Sequence, residues 1–288
     1  MDVWIHIKNT HEPLFFKSII KGMKNIDFKI TCRNIDEVVS LLEKYNYKFD
    51  LNDIHYGASL FNKLMGQFFR IFRLLVSVDG YDLALSHGCS SSSLASRIRG
   101  IPSVSITDND LFTLDNRSYL PFVDFLIIPK SSNKENFIEM GVKEHKIFQY
   151  NGYKEDLYIA DFSPDEEFVK NLPFNDYVVV RPEALSTEYV KNKESITGVL
   201  LKSLLENGYN IMYLPRSKDS YIPNIALNNE NIFIPKIPMN GLDICYYSRA
   251  VITGSGTMGR EAARIGKTAI SFFPEKLLGV DSSLVNEG

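Results

Sequence analysis

The 288-residue sequence has few cysteines, no basic excess and no long apolar run, and each shortage excludes a class of protein. Cys32, Cys89 and Cys245 are far apart and form no Cys-x-x-Cys pair. They define neither a disulfide framework nor a metal signature, and a reducing compartment suits them. Lysine and arginine number 32 against 35 acidic residues, a formal charge of −3. A nucleic-acid partner, which needs concentrated positive charge, is not expected. No apolar run approaches the roughly 18 residues that span a bilayer, so membrane contact is at most peripheral. The opening Met-Asp-Val-Trp carries neither the basic stretch nor the apolar core of an export signal. The expected location is the cytoplasm.

What the chain does have is core-forming material, 44% hydrophobic against 23% charged residues, enough for two domains. Short apolar runs alternate with helical lengths throughout. In the first half strands are expected at Val3–Ile7, Phe28–Cys32, Tyr47–Leu51, Asp82–Ser86, Ser103–Thr107, Phe125–Pro129 and Ile147–Tyr150. Helices are expected at Glu12–Met23, capped by Thr10, at Ile35–Tyr45, capped by Asn34, and at Ser59–Ser77 and Ser90–Arg99. A polar, turn-rich connector at Gly152–Asp165 marks a boundary, giving domains 1–155 and 156–288. The second half repeats the pattern: strands Tyr177–Arg181, Asn210–Leu214, Asn231–Pro235, Ala250–Thr253 and Thr268–Phe273, with helices Glu188–Glu206, Leu242–Tyr247 and Thr257–Ile265. Repeated βαβ units mean α/β architecture, here two Rossmann-like domains whose parallel sheets face a central cleft. Ligands of such sheets bind outside the carboxyl ends of the strands.

The most specific loop lies in Ala250–Phe273, a βαβ unit with a Gly254-Ser255-Gly256-Thr257 turn. Unpaired N–H groups and the helix dipole at such a turn favour an anion, typically phosphate. Glu261 stands about one helical turn further on, within reach of a hydroxyl near that anion. The spacing is neither GxGxxG nor a P-loop. Tight packing of the crossover is the competing reading of the same glycines.

Other strand ends carry chemistry-bearing residues. Ser86-His87-Gly88-Cys89 followed by Ser90–Ser93 offers helix caps or an anion or sugar site at Gly88 and Ser90. Adjacent His87 and Cys89 on a turn are poorly placed for proton transfer. Asp108 and Asp110 after the fifth strand are acid–base candidates or turn formers. Arg181 and Arg216 each end a strand of the second half and can supply charge for a diphosphate, or serve surface ion pairs. His11 follows the first strand, in the manner of a structural histidine or a cleft residue. The helix Ser59–Ser77 carries an apolar stripe from Phe61 to Leu75, with Lys63, Arg70 and Arg73 off it; it is expected to face the core, the alternative being contact with an anionic membrane surface.

The segments HGCSSSSLASRIRGIPSVSI and TGSGTMGREAARIGKTAISFF resemble an uncharacterised family found mainly in archaea. NT-x4-FFK at Asn9–Lys17 and DNRSYLP at Asp115–Pro121 extend the resemblance over most of the chain. That family is distantly similar to the non-hydrolysing UDP-N-acetylglucosamine 2-epimerases, which implies a GT-B-like fold, a UDP-linked nucleotide sugar as substrate, no separate cofactor or metal, and a homodimer. It places the sugar or acceptor on the first domain and the diphosphate on the second. On this resemblance Ser255, Gly256 and Thr257 match the epimerase Ser-Gly-Gly diphosphate loop and Glu261 the ribose-binding glutamate, with Arg181 or Arg216 adding charge. His87-Gly88-Cys89 stands where the epimerases have His-Gly-Asp, so a catalytic aspartate is replaced. A third acid, expected near Thr113 and Leu114, is missing, and Arg181-Pro182 replaces a histidine. Asp108 or Asp110, assisted by His87, are the remaining base candidates. The implied function is a glycosyltransferase or epimerase-like enzyme of cell-surface glycan synthesis, or else a fold relative that binds nucleotide sugar or glycan without turnover. After the last strand only a short segment Glu275–Leu278 is read, a shortened end for this fold.

Overall fold

A computed structural model describes residues 1–52, 60–111, 113–183, 185, 194–216, 222–227, 229–237 and 239–288. The chain divides into two compact units, Met1–Tyr158 with Leu278–Val280, and Ile159–Leu277 with Asp281–Gly288. The first contains β1 (Asp2–Ile7), α1 (Glu12–Gly22), β2 (Asp27–Cys32), α2 (Asp36–Lys44), β3 (Phe49–Leu51), α3 (Leu60–Ser77), β4 (Leu83–His87) and α4 (Ser90–Arg99). It continues with β5 (Ser103–Ile106), α5 (Leu114–Tyr119), β6 (Phe125–Pro129), α6 (Lys134–Glu139) and β7 (Ile147–Tyr150), and α7 (Asp156–Ile159) spans the boundary. The second contains β8 (Val178–Arg181), α8 (Thr197–Glu206), β9 (Ile211–Tyr213), α9 (Asn224–Leu227), β10 (Ile232–Phe233), α10 (Gly241–Tyr247), β11 (Ala250–Thr253), α11 (Gly256–Arg264) and β12 (Thr268–Ser271). The last helix is α12 (Gly279–Glu287), where the sequence suggested only a short segment ending at Leu278.

Both sheets are parallel throughout, seven strands in the order β3-β2-β1-β4-β5-β6-β7 and five in the order β10-β9-β8-β11-β12. The strand order reverses once in each sheet, at β1/β4 and at β8/β11. There the loops leaving neighbouring strands run to opposite faces and open a crevice, the usual ligand position in doubly wound sheets. The central strands are apolar because helices cover both faces: β1 is buried from Val3 onward, and Val178, Val179 and Val180 of β8 are all buried. Trp4, fully buried in β1, keeps its indole N–H satisfied by donating to Thr31 Oγ1 at 2.8 Å. Each such large side chain contributes about 2–3 kcal/mol by leaving water.

Several local expectations are corrected. Neither Thr10 nor Asn34 caps its helix: His11 and Ile35 occupy the N-cap positions of α1 and α2, and neither makes a side-chain cap. Glu12 instead reaches back, accepting from the Lys8 backbone N–H and the Asn9 side-chain amide, both at 2.7 Å. Helix α8 begins at Thr197, and residues 188–193 of its expected span lie outside the described residues. On α3 the expected core-facing stripe is corrected: Phe68, Phe69 and Phe72 are exposed, and the helix instead buries Leu74 and, just beyond its end, Val78. Ser59 and the side chains of Phe61, Lys63 and Leu64 lie outside the described residues. Gly100 ends α4 as expected, in the left-handed conformation at φ 70°. Among the described residues no helix is long and apolar enough to cross a membrane.

Candidate functional site

In the second unit the reversal point joins the end of β8 to the turn after β11. Arg181 pairs with Thr253 across the strands, and Gly254 N–H donates to the Arg181 carbonyl at 3.0 Å. Gly254 has no room for a side chain, since a Cβ would lie 2.6 Å from Glu183 Cα. Packing therefore requires glycine at this position. Ser255 is the extended N-cap of α11, which starts at Gly256 rather than Thr257. Its backbone N–H is taken by Thr253 Oγ1 at 3.0 Å, and its side chain makes no cap bond to the helix. An anion at this end would meet the helix dipole.

Around the turn, burial lowers the Arg181 pKa and the nearby Glu261 carboxylate opposes that shift, so the two residues interact. Arg216 donates from Nε to the Pro182 carbonyl at 3.1 Å, which ties it to the loop after β8. Glu183 in that loop accepts from Ile196 N–H at 2.7 Å, Thr197 Oγ1 at 2.6 Å and Ser195 Oγ at 2.9 Å. It therefore caps α8 from outside the helix. Burial pushes its carboxyl upward, but these hydrogen bonds prevail and hold it below the ordinary range.

In the first unit the reversal point gathers His11 and Glu12 after β1 with His87, Gly88 and Cys89 after β4. Glu12 is fully buried, and its carboxyl is raised to about 7 by desolvation against the pull of Lys8. His87 Nδ1 stands 4.0 Å from Glu12 Oε1, and its Nε2 stands 3.9 Å from Asp108 Oδ1. Asp108 Oδ2 lies 2.6 Å from the Lys154 ammonium, and Glu155 Oε1 is 3.9 Å from the same ammonium. All three of Asp108, Lys154 and Glu155 are buried. Gly88 adopts φ 52°, its carbonyl accepts from Lys8 Nζ, and a Cβ there would meet the Tyr119 hydroxyl at 3.2 Å.

Cys89 is paired with a different histidine from its sequence neighbour. Burial alone would raise the thiol, but His6, through its charge and a hydrogen bond, together with Lys8 and Ser91, hold it well below its ordinary pKa. The serine run is largely inward-facing: Ser91, Ser92 and Ser93 are buried, and Ser92 Oγ returns to the Cys89 carbonyl. Ser90 Oγ accepts from Gln67 Nε2 at 2.7 Å. Three of the four serines expected to signal a polar ligand are thus engaged within the chain, Ser90 by Gln67 and Ser91 and Ser92 by Cys89. Asp110 is also committed to structure. Its Oδ2 accepts from Asn133 N–H at 2.8 Å and its Oδ1 from Gly279 N–H at 3.3 Å.

Asp108 and His87 are therefore brought together, while Asp110 is set apart as a loop clamp. Lys8, Glu12, Lys154 and Glu155 were missed by sequence reasoning. The available signal for the last two was position, because Gly152-Tyr153-Lys154-Glu155 follows the carboxyl end of β7 directly.

Two parallel, doubly wound units with polar loops at both reversal points define a GT-B-like α/β protein. The chain belongs to the family described as "Protein of unknown function (DUF354)", which it matches over residues 1–288. It is 26% identical over 297 residues to the uncharacterized protein MJ0665 of Methanocaldococcus jannaschii, covering 100% of this chain and 86% of that relative. Among solved structures it resembles the S. aureus MnaA–UDP co-structure, with TM-score 0.76, 14% identity, and coverage of 99% of this chain and 82% of that one. It also resembles the UDP-GlcNAc 2-epimerase of Methanocaldococcus jannaschii in complex with UDP-GlcNAc and UDP, with TM-score 0.68, 17% identity, and coverage of 94% and 83%. At such identities the likeness establishes the fold alone.

Proposed function

We infer that the chain is a cytoplasmic nucleotide-sugar enzyme, epimerase-like or a glycosyltransferase, that takes a UDP-linked sugar and serves cell-surface glycan synthesis. The observation that carries this reading is the second reversal point, where Arg181, paired with Thr253 beside the turn that opens α11, interacts with Glu261 of that helix. Gly256 and Thr257 offer backbone N–H groups and Ser255 and Thr257 hydroxyls to a diphosphate, Arg181 and Arg216 supply charge, and Glu261 accepts from a ribose hydroxyl. The two matched structures that hold UDP or UDP-GlcNAc support the choice of nucleotide. Asp108 is the candidate base, with His87 at 3.9 Å as its proton partner. A homodimer is part of the same reading and is checked by sedimentation.

Thermal-shift titration with UDP, GDP, dTDP and CMP sugars tests binding. Stabilisation by UDP-sugars that disappears in Glu261→Ala supports the reading, and no stabilisation by any of them ends it. A second reading, a nucleotide-sugar or glycan binding protein without turnover, is favoured by Cys89 standing in place of an epimerase aspartate. Turnover of UDP-N-acetylglucosamine that is lost in Asp108→Asn excludes that alternative.

A further inference from the structure

The first reversal point holds a donor set that the cysteine-based sequence argument passed over. His11, Glu12 and His87 each present one ligand atom, and these atoms lie within 4.8 Å of one another. We propose that these three residues bind one divalent transition-metal ion of the zinc class.

Two imidazoles and one carboxylate form a donor set that zinc uses with water in the remaining position. Bonds of about 2.1 Å in a tetrahedral site separate neighbouring donors by about 3.4 Å. The side chains therefore need to close by little more than an ångström. Glu12 is held for this by its two hydrogen bonds to Lys8 N–H and Asn9 Nδ2, one on each oxygen, and each oxygen keeps a further lone pair.

The surroundings of His87 supply the second, independent observation. Metal-bound histidines commonly direct the other ring nitrogen to a carboxylate, which fixes the tautomer and strengthens the donor. His87 turns Nδ1 toward Glu12 and Nε2 toward Asp108, and Asp108 is in turn held by Lys154. The ring of Phe15 stands edge-on to His87 at 5.6 Å between centroids, and His11 stands edge-on to it at 5.3 Å. At 3.9 Å Asp108 lies beyond hydrogen-bond distance, so it is a carboxylate placed to back the imidazole rather than one already bonded to it.

The charge balance also suits a divalent ion. The N-terminal ends of α1 and α4 and the Lys8 ammonium oppose a cation. Against them stand Glu12, Asp108 and Glu155, while Asp115 lies 3.1 Å from Lys8 Nζ. Four carboxyl groups face the ammonium groups of Lys8 and Lys154, and with Glu12 ionised, as metal binding requires, the formal excess is two negative charges.

The test uses the full chain stripped with a chelator, given Zn²⁺, desalted and assayed for bound metal, with the ligand-field spectrum of Co²⁺ as a second probe. It needs no nucleotide, so it stands or falls apart from the nucleotide-sugar reading. One equivalent per chain is expected. His11→Ala should weaken binding at least about 100-fold, and Asp108→Asn about 10–100-fold. His145→Ala should bind as the parent does. His11 is only partly buried, so His11→Ala decides the matter where His87→Ala fails to fold. Retention below about 0.1 equivalent, or unchanged affinity in a folded His11→Ala protein, overturns the proposal.

Discussion

The two reversal points obey the same topological rule but are built from different materials. At β8/β11 the work is done by backbone: a glycine turn, a helix end and a close approach of two loops. At β1/β4 it is done by side chains, with Glu12, His87, Asp108 and Lys154 buried together. Backbone sites are written in consecutive residues, whereas side-chain clusters are assembled from distant ones. The contrast implies different sensitivities to substitution, and the following experiments are ways of breaking it. Each kcal/mol lost is read as roughly 2–4 °C in Tm at this size.

The largest effect should come from Lys154→Met. It leaves the buried Asp108 carboxylate without its ammonium, and removing one partner of a buried ion pair costs about 3–5 kcal/mol. The double variant Lys154→Met with Asp108→Leu should recover part of the loss, because an apolar pair can replace an ionic one. If the single variant melts within 2 °C of the parent, the pair is solvated in solution and the side-chain account of the first site fails.

At the second site Gly254→Ala comes next, at about 1–3 kcal/mol. The added methyl would meet Glu183 backbone, which cannot swing aside. Gly256→Ala is the matched control. Its Cβ would lie 2.6 Å from the Arg260 guanidinium Nη1, a side-chain tip paired with Asp281, so an ion pair rather than backbone would have to give. Equal costs for the two alanines would contradict the backbone account.

Glu183→Gln should cost about 1–2 kcal/mol near neutral pH, through weaker bonds to Ile196, Thr197 and Ser195. The sign with pH follows from its lowered pKa in the folded state. The native carboxylate stabilises the fold above the unfolded value of about 4.3 and loses that contribution as pH falls through the folded value. The gap in Tm between parent and Glu183→Gln should therefore be full at pH 7 and shrink below about pH 4. A gap that widens in acid would show that the cap is neutral.

Legibility followed the same division between backbone and side chains. β6, β7 and β11 appear where apolar runs bounded by turn residues place them, and Gly100 ends α4 because few other residues tolerate its left-handed backbone. The Gly254–Thr257 turn was found because its signature is local. Caps were misread at Thr10 and Asn34, since capping depends on the dihedrals of the entering loop and not on residue type alone. The Asp108–Lys154 pair could not be read, because it exists only once β5, β6 and β7 pair side by side. Likewise Cys89 finds its imidazole in His6, carried by the neighbouring strand β1, rather than in the adjacent His87.

The smallest expected effect lies on α3, where sequence pattern and burial disagree most openly. A stripe of aromatic residues at helical spacing normally means core, and by that reasoning Phe72→Ser would cost as much as an apolar core deletion, about 3–5 kcal/mol. Yet Phe72 is 56% exposed while Leu74 is fully buried. Substitution of an exposed side chain usually changes stability by no more than about 0.5 kcal/mol. Phe72→Ser should therefore leave Tm within about 2 °C, while Leu74→Ala should lower it by several times that, at about 2–5 kcal/mol. A large loss in Phe72→Ser would mean that this face is covered in solution, and exposure within one chain would then no longer be the right guide to it.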